Sequence, residues 1–218
     1  ASDVYKRQLD GNEPTSKAAI YTQPIKVTKD TQVKAVVFKN GAQVGKVTQK
    51  SFFVNKATGK STSSNVAYRF KPDNPGAKDY SEFNFCGLTN GIRGYLNHVH
   101  PWVAFKPAQY TEIIVDLDTI TSFRKIRYGV MNGYGQEAVA PESVDIEISN
   151  DSISFKRIAS KKFTYTISNK WQMFEQKFNF EPQKARYVKL RFKNGKLPHK
   201  LGGFPVPEKR EGELGLLF

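Results

Sequence analysis

The chain has 218 residues, 39% hydrophobic, 25% charged and 13% aromatic, with 34 Lys and Arg against 20 Asp and Glu for a formal net charge of +14. That is room for one large or two small domains of ordinary soluble composition, and the aromatic and β-branched content favours an all-β chain. The single cysteine, Cys86, excludes an internal disulfide and a cysteine-built zinc site, and no apolar run is long enough to cross a membrane as a helix.

Residues 1–8 (Ala-Ser-Asp-Val-Tyr-Lys-Arg-Gln) do not fit the rest of the chain. They resemble the translated sequencing-adapter remnant found at the ends of open reading frames in metagenomic assemblies, and are set aside as an expected artefact. From Leu9 the text becomes regular. Asp10-Gly11 with Pro14 after it is turn chemistry. Ile20–Ile25 is a short extended piece, and residues 31–38 alternate as a strand. Asn40-Gly41 is a hairpin turn, and Val44–Val54 is the returning strand. Residues 55–65 are Ser-, Thr- and Gly-rich with little to bury, a linker by composition.

The first segment resembles the small β-sandwich in the C-terminal region of bacterial chitobiase and β-hexosaminidase chains. The resemblance rests on Leu9, Asp10, Gly11, Glu13, Pro14 and Thr15, then Ile20, Tyr21, Thr22, Pro24 and Ile25, then Thr31, Val33, Lys34 and Ala35. It covers residues 9–54 and implies a sandwich truncated by one strand, the one expected before Leu9.

After the linker, Val66–Phe70 reads as a strand and residues 71–76 as a turn. Leu88 to Phe105 is a long loop rich in Gly, Asn, His and aromatics, feeding a strand at 111–117. Further strands are expected at 126–130, 144–148, 155–158, 171–180 and 185–192, with a loop at 131–141 holding Gly133, Tyr134 and Gly135. Many short strands without a helix-period segment read as a β-sandwich.

Six motifs occur in order: Leu88–Gly94, Trp102 with Phe105, Ile113–Leu117, Pro141–Ile146, Ser149–Asp151 and Ala185–Leu190. Together they resemble a coagulation factor 5/8 type C, or discoidin, domain over 66–193, with the second domain taken as 66–218 and its last strand incomplete. The resemblance implies a jelly-roll sandwich with binding loops at one end. In bacterial polysaccharide-degrading enzymes such a domain serves as a carbohydrate-binding or accessory module.

Sugar recognition needs an aromatic face for the apolar side of a ring and planar polar groups for hydroxyls. Arg93, Tyr95, Asn97, His98, His100 and Trp102, with Tyr134 from the later loop, are the candidates. Each has a plainer reading beside it: Trp102 as core packing, Arg93 as a salt bridge pinning the loop, the histidines as surface residues. His98 and His100 lack further ligands for a transition metal. The resemblance also implies a structural calcium near Asn90-Gly91, but a neutral amide stands where an aspartate is expected, which weakens a hard-cation site.

No Gly-x-Ser-x-Gly, phosphate loop or His-Glu-x-x-His is present. Glu137, Glu142, Asp116 and Asp118, weighed as a glycosidase pair, read better as surface carboxylates. The basic residues are scattered, so a solvated Lys-rich surface is favoured over nucleic acid as the meaning of the charge.

The expectation is therefore a non-catalytic, carbohydrate-binding end of a secreted, periplasmic or cell-surface bacterial glycoside hydrolase, nearest to a β-N-acetylhexosaminidase, whose partners are a glycan and an upstream catalytic domain. A structural spacer, the accessory end of another hydrolase such as a fucosidase, and a polyanion-binding module are the alternatives.

Overall fold

A computed structural model describes residues 4–66, 88–93, 102–103, 105, 108–132, 139–165, 170–195, 200–201 and 204–205. Every regular element among them is a strand, and every pairing between strands is antiparallel. The chain divides into two compact units, Ala1–Thr58 with Gly91–Arg93, and Gly59–Asn90 with Gly94–Phe218.

The first unit is one four-stranded sheet in the order β2-β1-β3-β4, from β1 Val4–Gln8, β2 Ala19–Ile20, β3 Thr31–Lys39 and β4 Ala42–Phe52. The β3–β4 hairpin closes at Asn40 (φ 51°) and Gly41 (φ 81°), the two consecutive positive-φ residues that suit a tight hairpin. Period-2 alternation sends Val36 and Phe38 to the covered face, where Pro14 and Ala18 are also buried. Asp10 shapes the preceding turn by accepting hydrogen bonds from the Asn12 backbone N–H (3.0 Å) and side-chain amide (2.9 Å). Both bonds favour its ionised form, so its pKa is lowered.

The place expected to be empty is filled. Val4–Gln8 pairs with β3 from Val4↔Phe38 to Gln8↔Lys34 and also with β2. Ladder bonds are made by backbone groups, so five extended residues suffice to occupy the position whatever their side chains.

The second unit is built on the sheet β5-β6-β9-β7-β8. Its strands are β5 Thr62–Ser64, β6 Tyr110–Asn132, β7 Ser143–Ser149, β8 Lys156–Lys162 and β9 Gln172–Lys193. A small ribbon of β10 Lys200–Leu201 and β11 Phe204–Pro205 comes after them. Thr62–Ser64 falls within the stretch read as a linker, yet pairs with Val115–Ile113 of β6. Of the strand expected at 66–70, Val66 lies in a bend and the rest is outside the described residues.

Two pairs of expected strands are continuous. The segments 111–117 and 126–130 join as β6, and 171–180 and 185–192 as β9, with register shifts between Asp116 and Thr121 and between Phe123 and Lys125. Extra residues at such bulges bend a paired ribbon. The ribbon's far half thereby folds back over the sheet: Ile126, Tyr128 and Phe178 pack on Ile113, Val144, Ile146, Leu190 and Phe192. This makes the second unit a two-layered β-sandwich.

The bend is clamped electrostatically. Asp118 holds a positive φ of 66°, its N–H donating to Asp116 Oδ1 at 2.8 Å and its carboxylate pairing with Lys60. Asp116 takes a bidentate hydrogen bond from Arg186 at 2.9 Å on each arm, and that bond holds its pKa low.

Candidate functional site

The first half of the loop expected to carry the site begins as a tied turn. Thr89 is buried, its hydroxyl donating to the Lys60 carbonyl at 2.6 Å, while the Gly59 N–H donates to the Thr89 carbonyl at 2.8 Å. Asn90, the residue weighed for calcium, is half-buried beside this turn. Among the described residues no three His, Cys, Asp or Glu side chains come together.

Gly91–Arg93 packs with the first unit. Gly91 has φ 75°, and a Cβ there would lie 2.8 Å from the Phe53 carbonyl oxygen, so only glycine fits. Its carbonyl accepts the Phe53 N–H at 2.7 Å. The Arg93 guanidinium lies 3.9 Å above the Phe53 ring, a cation–π contact that pins an otherwise exposed side chain.

For Trp102 the structure has core packing, the plainer of its two readings, and takes it off the list of stacking faces. It is 2% exposed and packs with Met131 and Trp171, so it has no free face for a sugar. Gly129 makes room for it: a Cβ at Gly129 would sit 3.5 Å from the indole ring. Val103 and Phe105, next along the chain, are core residues. Tyr95, Asn97, His98, His100 and Tyr134 lie outside the described residues, as does Glu137.

The described residues on either side of Tyr134 are tied together. β6 ends at Asn132, which is fully buried. Its side-chain oxygen accepts the Ala140 N–H at 3.0 Å, and its amide nitrogen donates to Gln172 Oε1 at 3.3 Å. One side chain thus joins the end of β6 to Ala140 and to the start of β9. A buried amide so used is costly to lose, because its partners would be left unsatisfied.

Below this clamp lie Met131, Trp102 and the half-buried Trp171, with Met173 47% exposed two residues on. Sequence reasoning treated Trp171 only as a strand start. The signal was present in the period: Trp171, Met173, Glu175 and Lys177 fall on one side of an alternating segment, so an indole stands in register with charged, outward residues.

The carboxylates weighed for catalysis are engaged elsewhere. Asp116 is held by Arg186, Asp118 by Lys60, and Glu142 by Lys193 at 2.8 Å. They are arms of ion pairs rather than free surface groups. The outer face of the sheet repeats this pattern across strands: Arg191 with Glu112 (3.1 Å), Lys189 with Glu147 (2.6 Å) and Arg157 with Asp145 (3.7 Å). Interleaved acids break up its basic charge.

A folded-over, all-strand sandwich is the architecture expected of a discoidin-type domain. The F5/8 type C domain model matches residues 76–201, and the chain belongs to that family. A second model, described as Fn3 associated, matches residues 8–52. No curated protein matches the chain.

Among solved structures, the chain is similar to chitosan-binding module 1 of a chitosanase/glucanase from Paenibacillus sp. IK-5, with 14% identity, 76% of this chain and 98% of that chain covered, and a TM-score of 0.40. It is similar to the C-terminal domain of a chitobiase from Bacteroides fragilis, with 13% identity, coverage of 74% and 91%, and a TM-score of 0.42. It is also similar to a GH29 fucosidase from Ruminococcus gnavus, with 14% identity, 75% of this chain but 25% of that chain covered, and a TM-score of 0.44.

Proposed function

We propose that the chain is a non-catalytic, glycan-binding accessory region of a secreted bacterial glycoside hydrolase, its sugar site carried by the loop that the sequence predicts over 131–141. One observation supports this reading: the buried Asn132 side chain ties the end of β6 to Ala140 and to Gln172, next to the Trp102, Met131 and Trp171 cluster. A rigid scaffold under a polar, aromatic loop is the usual mount for recognition. Tyr134 supplies the stacking face in this reading, and Asn97, His98 and His100 the hydroxyl partners. Trp102 acts from beneath as support, and Arg93 is left out because it is committed to Phe53. The motif shared by residues 9–54 with chitobiase and β-hexosaminidase chains supports a β-N-acetylhexosaminidase as the parent enzyme.

The test is a glycan array on the whole chain, then titration of the best sugar using tryptophan fluorescence. A bound glycan with little salt dependence is expected, with Tyr134→Ala weakening it about five- to tenfold, the worth of one aromatic contact, at unchanged melting temperature. Absence of any bound glycan favours a structural spacer and overturns the reading. Hydrolysis of an aminosugar glycoside by the purified chain also overturns it.

A further inference from the structure

The far half of the β6–β9 ribbon has two faces. On the inner one Phe178 joins the core, and Phe174 meets Tyr165 with ring centroids 4.6 Å apart. Gln176, on the same side, accepts a hydrogen bond from Lys161 Nζ at 3.1 Å. Alternation sends Met173, Glu175 and Lys177 of β9 to the outer face, with Trp171 in line just before the strand. Met173, Glu175 and Lys177 are exposed, and Trp171 is half-buried. Register sets Met131 beside Met173, Gly129 beside Glu175 and Arg127 beside Lys177.

This outer strip changes character along its length. At one end Trp171 packs on Trp102 and Met131, so its indole is held in place while part of it meets solvent. Exposed Met173 extends that apolar end. At the other end the Lys177 ammonium donates to Glu175 Oε2 at 2.9 Å, and Arg127 Nε lies 3.4 Å from Glu175 Oε1. From Trp171 to Lys177 the strip runs about 20 Å, from the rise per residue. Two cations share one carboxylate at its polar end, so the strip carries little of the charge that marks the whole chain.

We propose that this strip is a second binding platform, which takes an uncharged, extended polysaccharide lying along β9. Trp171 meets the C–H face of one pyranose ring. Glu175 and Arg127 take hydroxyls of rings further along: a carboxylate accepts at two oxygens, and a guanidinium has five N–H donors, more than one ion pair uses. The chemistry favours a neutral glycan over nucleic acid, which is held by basic grooves and successive stacking aromatics. The platform shares no residue with the loop over 131–141 beyond Met131 beneath Trp171, and does not depend on that loop's binding a sugar.

The chain has two tryptophans and Trp102 is buried, so quencher-accessible fluorescence reports on Trp171. The probes are hydroxyethylcellulose, xyloglucan, galactomannan and glycol chitin, each added to the whole chain with acrylamide as quencher. At least one is expected to shield Trp171, with little dependence on salt. Retardation in gels containing that polysaccharide then ranks the variants. Trp171→Ala weakens binding about five- to tenfold, the worth of one aromatic contact. Arg127→Ala with Glu175→Ala, both at exposed positions, weakens it about three- to tenfold. Melting curves check that each variant folds, and the second carries the test if the first does not. Shielding by none of the four overturns the proposal, as does equal binding by wild type and the Arg127 and Glu175 variant. A loss in Tyr134→Ala as large as in the strip variants means a single site at the loop and overturns it too. A dimer that Trp171→Ala dissolves, seen by sedimentation, makes the strip a self-contact and likewise overturns it. A glycan that needs Tyr134 is held equally by the Arg127 and Glu175 variant, so the two readings fail separately.

Discussion

The two units treat a sheet surface in opposite ways. In the second, the long strands β6 and β9 fold back on themselves, so one ribbon supplies both layers and the inner face is sealed by its own continuation. Its outer face is stitched by cross-strand ion pairs, Glu112–Arg191 and Glu147–Lys189 among them. In the first, a sheet with no acid in its strands buries Val36 and Phe38 on one face and leaves Tyr5 and Val44 exposed on the other. The difference separates two sources of stability. The second unit rests on a core of large, fully buried side chains, Phe105, Phe192 and Ile146. The first has few buried groups and relies on its ladder and on the Asn40-Gly41 hairpin.

The largest effect should come from emptying the larger core. Phe192 is fully buried and meets Tyr128 edge-on with ring centroids 5.3 Å apart. Phe192→Ala should cost about 3–5 kcal/mol by transfer and cavity terms. Hydrogen exchange should show lost protection at β9 amides with β3 amides unchanged. Equal loss in both would mean that the units unfold as one and would break the comparison.

Next is the loop clamp. Asn132→Ala removes an acceptor from the buried Ala140 N–H and a donor from the half-buried Gln172, for about 1–3 kcal/mol. Urea denaturation measures the cost, and proteolysis within 133–138 should quicken. An unchanged cleavage rate there would show that Asn132 does not hold the loop.

The alternating strands were legible because burial on one face imposes period 2. Val144, Ile146, Val188, Leu190 and Phe192 were placed from that pattern, and all are buried. The joining of strands was not legible. It depends on Asp118 at positive φ and on Arg186 reaching Asp116 seventy residues away, and neither leaves a local mark. The strand at Val4–Gln8 was missed because residues 1–8 read as a sequencing remnant and were set aside, while pairing asks only for extended backbone. At the candidate site, Trp102 and Tyr134 were both weighed as stacking aromatics, with core packing as the plainer reading of Trp102. Trp102 is buried against Gly129, as that plainer reading has it, although no spacing rule gives the contact.

Charge pairing offers a sharper contrast between the sheets. Lys189 and Glu147 meet at 2.6 Å with side chains only 15% and 16% exposed, and the Lys189 ammonium also lies 4.1 Å from the centre of the Phe155 ring. Glu147→Gln leaves that ammonium short of its counter-charge in a partly desolvated place, for about 1–2 kcal/mol. Lys50→Ala at an exposed position of the first sheet should stay within about 0.5 kcal/mol, as for an ordinary surface site. Equal costs in paired denaturation curves would erase the distinction between a stitched and an open face.

The smallest expected effect is a pH dependence at the turn after β7. The Ser149 hydroxyl donates to Asp151 Oδ1 at 2.7 Å, and the Ile153 and Ser154 N–H groups donate to the same oxygen at 2.9 and 2.8 Å. These bonds favour the carboxylate and pull its pKa from 3.8 to about 2. A folded-state pKa below the unfolded one adds stability that is complete above about pH 4 and fades as pH falls toward 2. Asp151→Asn, which keeps an acceptor but no charge, should therefore be less stable than wild type near neutrality. Its melting temperature should converge on that of wild type as acid is added through this window. A constant gap between the two at every pH would mean that the turn is held by shape alone, with the ionised oxygen contributing nothing beyond what a neutral amide can give.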